Sequence, residues 1–205
     1  MTLLQKVSAR LTRSDLLQLS VLFFAVLLVS SVTAWPTRPN EANDSWFILS
    51  QMRLGGLALL ALSFGAVESR LSKSEQGMTV LALLVLALVT APLEVASYAL
   101  SFPPSPLWYS LTLACLDSLA LFGLGLLLGK ALALIHLRAL LPLVVPAALV
   151  GLVAADIWLG VALVSPLAAS NALAPFHLGA MGAVALATVF YLLPFRLTPA
   201  RKEPS

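Results

Sequence analysis

Four ionisable side chains, Arg53, Glu94, Asp117 and Asp156, interrupt sequence that is otherwise long, apolar and poor in charge. One guanidinium and three carboxylates can pair as ions, relay protons or cations, or line a polar cavity. A charge in an apolar medium costs about 3 kcal/mol unless it is paired, hydrated or neutralised. At about 1.5 Å of rise per residue, Arg53, Glu94 and Asp156 fall in the outer half of their stretches, and Asp117 falls near the middle. Arg53 is then the obligate cation of a network with Glu94 and Asp156. Asp117, with no cation at its level, is expected to be protonated or to face a wet cavity. Two readings stand: the four line a cavity or translocation path, or Arg53 fixes helix register against one carboxylate while the others reach headgroups.

Neither a metal nor a cofactor is expected. His136 and His177 lie at opposite ends of their stretches and cannot jointly ligate a metal or haem. Cys115 is the single cysteine, so a disulfide or a thiolate cluster within one chain is excluded.

The elements that must hold these residues are apolar runs, in a chain of 205 residues that is 60% hydrophobic and 10% charged. About 20 apolar residues in helical form cross a bilayer, and the runs at 16–35, 46–67, 78–100, 107–129, 139–164 and 172–193 meet that length. Helix is the expected state, because a lipid-embedded segment must satisfy its own backbone and residues 80–89 lack the alternation of a barrel strand. The expected fold is all-α: a polytopic bundle of six transmembrane helices over 16–195, a leader at 1–15 and a basic tail at 196–205. Connectors of this length leave no soluble domain outside the membrane. The run from Leu16 is too long for a signal-peptide core, so a first span is expected there.

Orientation follows from the basic residues. Lys6, Arg10 and Arg13 precede the first span, Arg70 and Lys73 follow the second, Lys130 and Arg138 follow the fourth, and Arg196, Arg201 and Lys202 follow the sixth. Only Arg38 lies on the other side, which puts both termini in the cytoplasm and makes the inner membrane the expected location. Trp35, Trp46 and Trp108 fall at outer boundaries, where amphipathic rings prefer to sit. The net charge of +3 is accounted for by this asymmetry, so nucleic acid is not an expected partner. Leu3, Leu4, Val7 and Leu11 share a helical face flanked by cations, which fits a short surface helix or a basic leader that only sets orientation.

Small residues mark packing faces. Gly125 and Gly129 form a small-xxx-small pair, and Gly179, Ala183 and Ala187 repeat the spacing in the sixth span. Such stripes let backbones approach closely within a bundle or across a homodimer. Gly125 to Lys130 superficially resembles a phosphate loop, but its spacing, missing Ser or Thr and lack of a strand rule that out. With no hydrolase or dinucleotide motif either, an enzyme is not expected.

The second span ends Leu62-Ser63-Phe64-Gly65-Ala66-Val67-Glu68, and a charged stretch runs on to Glu75-Gln76-Gly77. With six spans, a basic leader and a basic tail, this resembles the membrane subunit of ABC-2-type exporters, specifically the small haem-exporter B-like permeases. It differs where apolar sequence resumes at Met78, since that family has a longer coupling helix containing a proline. The resemblance implies a homodimer forming the path, and a cytoplasmic ATPase docked on the inner loops, with Glu68, Arg70, Lys73 and Glu75 as candidate docking residues. Two other classes remain open: a non-transporting anchor or assembly subunit of a larger complex, and a stand-alone carrier or channel using the buried carboxylates.

Overall fold

The computed structural model describes residues 18, 20–22, 25, 27, 43–91, 107–159 and 174–193. All regular structure among them is helical. The helices are α1 (Asn43–Glu68), α2 (Lys73–Val89), α3 (Leu107–Leu134), α4 (Leu141–Leu159) and α5 (Ala174–Leu192), with a single 3-10 turn at Arg138–Leu140 leading into α4. Residues 18, 20–22, 25 and 27 are also helical, and Leu27 reaches the core.

α3 is the central rod. It packs most extensively on α1, then on α5 and α2, while α4 lies mainly against α1. The core between them is built from Leu57, Ala61 and Phe64 of α1, Leu83 and Ala87 of α2, Leu121 and Phe122 of α3, and Met181 and Ala185 of α5. Ala61 and Ala66 on one side, and Ala120 and Gly125 on the other, keep side-chain volume small where the axes converge.

The outward faces are as apolar as the inward ones. On α2, Met78, Leu81, Val85 and Leu88 are exposed, while the buried face includes Gln76 and Thr79. Leu127 of α3, Val150 of α4 and Phe190 of α5 are also exposed, and Trp158 stands 93% exposed. This inverts the usual helix of a water-soluble protein, which turns its polar face outward. Among the described residues, Ala114–Leu134 and Arg138–Ala155 are long and apolar enough to cross a membrane, and Gly179–Leu192 is a shorter apolar helix.

Chain punctuation has local causes. α2 opens on a capping box: Glu75 N donates to Ser72 Oγ at 3.4 Å, and Ser72 N donates to Glu75 Oε2 at 3.0 Å. It starts at Lys73 and ends at Val89, whereas the apolar run suggested 78–100. Thr90 caps it, its N–H donating to the Leu86 carbonyl at 3.1 Å, and helical backbone resumes at Ala91. α3 runs past the expected 129 to Leu134 and closes in a Schellman arrangement, with Leu137 N donating to Leu132 O and His136 N to Ala133 O. His136 takes the left-handed position, φ 56°. Pro146 lies inside α4, where it removes one backbone hydrogen bond.

Candidate functional site

Arg53 is 0% exposed. Its Nε donates to Thr90 Oγ1 at 2.8 Å and its Nη2 donates to the Ala87 carbonyl at 2.7 Å. Thr90 Oγ1 in turn donates to the Leu86 carbonyl at 2.9 Å. The last carbonyls of a helix lack intrahelical partners and carry its negative dipole end. The guanidinium of α1 therefore serves as the cap of α2. The group thus ties α1 to the end of α2.

Of its expected companions, Asp117 is buried on α3. Glu94 lies outside the described residues. Asp156 is placed on the backbone of α4, and its side chain is outside the described set. Among the partners of Arg53 are the Thr90 hydroxyl and the Ala87 carbonyl.

A second polar group occupies the opposite end of α1, at the elbow where the chain turns into α2. Glu68 is fully buried, and its Oε1 accepts from Thr79 Oγ1 at 2.7 Å. Its carbonyl accepts from Leu71 N at 2.9 Å and from Gln76 Nε2 at 2.9 Å, and Gln76 Nε2 also reaches the Leu71 carbonyl. Glu68 therefore turns inward and builds the elbow, away from the docking surface on which the sequence placed it. Arg70, Lys73 and Glu75 are exposed on that elbow. From the turn between α3 and α4, Arg138 Nη2 donates to Ser69 Oγ at 2.9 Å, and Ser69 Oγ donates back to the Ala66 carbonyl.

Glycines seat α1 on α3. A Cβ on Gly125 would collide with the Leu62 carbonyl and come within 3.0 Å of Ala66 N; one on Gly129 would collide with the Ala66 carbonyl and lie 2.6 Å from Ser69 Oγ. Gly65 and Gly123, which spacing alone did not single out, are equally tight: Gly65 against the Phe122 carbonyl and Gly123 against Thr188 of α5. The stripe on α5 behaves differently. Gly179, Ala183 and Ala187 are exposed, and the packed face carries Met181, Ala185 and Thr188.

Tyr191, near the end of α5, joins the elbow to α3. Lys130 Nζ donates to its hydroxyl at 2.9 Å and lies 4.3 Å from the ring centroid, while Lys73 Nζ lies 4.7 Å from the same centroid. Among the described residues no group of three or more His, Cys, Asp or Glu side chains could hold a metal ion. No family model matches the chain, and neither the curated proteins nor the solved structures contain a match to it.

Proposed function

We propose that the chain is an integral membrane subunit of a transporter: a six-helix bundle with both termini in the cytoplasm that pairs with a separate ATPase as an ABC-type exporter permease. The inverted polarity of the helices supports the membrane setting, because apolar exteriors with buried arginine, glutamate and aspartate suit lipid as solvent.

The observation that carries the transporter reading is the elbow. Its backbone is cross-braced by Glu68, Gln76, Thr79 and the Ser72 capping box, and it presents Arg70, Lys73 and Glu75 outward. It is continuous with α1, and α1 is seated on α3 by glycine contacts that allow no slack. A force applied to the elbow by a cytoplasmic motor would therefore move α1 and α3 as one body. Purification from membranes in mild detergent tests this. A nucleotide-binding subunit in stoichiometric amount is expected, and its repeated absence beside some other complex would end the reading.

The sealing of Arg53 favours a second reading, a non-transporting anchor or assembly subunit, because a guanidinium engaged as a helix cap has a structural task already. Arg53→Met separates the two: export lost at normal abundance supports a path role, and lost abundance supports a structural one.

A further inference from the structure

We infer that Lys73, Lys130 and Tyr191 form a binding site for the phosphate of an anionic phospholipid headgroup, an inference that rests on the membrane placement proposed above. Two ammonium groups from different helices stand within 5 Å of one ring centroid, so they are no more than about 9 Å apart. The ring's negative face attracts both, but it carries no net charge to offset their repulsion. A shared anion does.

The third donor is the phenol. Tyr191 Oη accepts from Lys130, which leaves its own proton to donate outward. Two ammonium groups and a hydroxyl together match the oxygens of a phosphodiester. The acids nearby are committed elsewhere, Glu75 to the Ser72 capping box and Glu68 to Thr79 inside the elbow. On the two helices that carry Lys73 and Tyr191, Met78 and Leu81 of α2 and Leu186, Val189 and Phe190 of α5 present exposed apolar surface on which acyl chains can lie. A soluble phosphate would use the same donors but would leave that surface uncovered, which is why the lipid is favoured.

The test is native mass spectrometry of the full chain in detergent with equimolar phosphatidylglycerol and phosphatidylcholine. At roughly fivefold for each lysine near an anionic surface, wild type should retain phosphatidylglycerol over phosphatidylcholine by roughly thirtyfold. K73Q/K130Q should fall to within about twofold, while R201Q/K202Q keeps the preference. Y191F retains both lysines and the ring, and should lower the preference by roughly two- to tenfold. If the double variant is misfolded, K130Q and Y191F carry the comparison. An unchanged preference in the variants, or none in wild type, overturns the inference, and displacement of the lipid by inorganic phosphate at about equal concentration reassigns the site to free phosphate. Recovery of the chain without detergent would instead defeat the membrane reading itself.

Discussion

Gly65 of α1 and Gly125 of α3 meet so closely that a methyl group on Gly65 would stand 3.0 Å from the Gly125 Cα. The two backbones are therefore in direct contact along the seam that joins the elbow to the centre of the bundle. In the proposed membrane setting lipid offers no hydrophobic drive for helix association, and this close packing would supply dispersion in its place.

Gly125→Ala should lower stability by about 1–3 kcal/mol, because its methyl would meet the Leu62 carbonyl and neither backbone can yield locally. Gly179→Ala meets nothing within 4 Å and should be neutral or gain up to about 1 kcal/mol from helix propensity. Equilibrium unfolding in mixed micelles checks the pair. Equal effects at the two positions would contradict the seam.

Arg53→Met should cost about 2–4 kcal/mol, removing two charge-assisted bonds and leaving the Ala87 carbonyl with only the longer bond from Thr90 Oγ1, 3.3 Å. Arg53→Lys supplies the charge but not the fork, and should recover about half of that loss. Thr90→Val should cost less, about 1 kcal/mol, since the bond to Ala87 survives. Thermal unfolding of the three variants orders them, and any other order removes the capping role.

Thr79→Val leaves the volume of the side chain nearly unchanged but deprives the buried Glu68 carboxylate of its hydroxyl donor. A loss of about 1–3 kcal/mol is expected. Proteolysis should then cut near Leu71, where the elbow backbone loosens. Full protection of that turn in the variant would show that Glu68 does not brace it.

His136→Gly should stabilise the chain by about 1 kcal/mol. His136 holds φ 56° at the end of α3, a left-handed conformation that glycine adopts without steric cost. The readout is again unfolding in micelles, and a loss of stability would mean that the imidazole makes a contact worth more than the backbone strain.

The helices of this bundle are largely legible in the sequence because length and apolarity mark them directly. The runs at 46–67 and 172–193 foreshadow α1 and α5 to within about three residues, at the usual boundary uncertainty. Gly125 and Gly129 were legible as packing residues for the same reason. The α5 stripe was not, because spacing reveals that a face is small but not which face turns inward, and Met181, Ala185 and Thr188 claim the seam instead.

The capping role of Arg53 was hidden for a different reason. Its guanidinium donates to Thr90 and to the Ala87 carbonyl at the end of α2, and Glu94, one of the carboxylates expected beside it, lies outside the described residues. A lone threonine late in an apolar run was the available signal. Glu68 turned inward because the four-residue turn to α2 fixes its register against Thr79, which no single-chain pattern encodes. Tyr191 drew no attention until α2 and α3 brought their lysines to it.

The most direct measurement is the sidedness of the elbow. With Cys115→Ser as background, single cysteines at Ser72 and Ser45 are labelled by a membrane-impermeant maleimide in intact cells and again after permeabilisation. The account predicts label at Ser45 in intact cells, and label at Ser72 only once the membrane is opened. Label at both from outside, or at Ser72 alone, would contradict a membrane bundle whose elbow faces the cytoplasm.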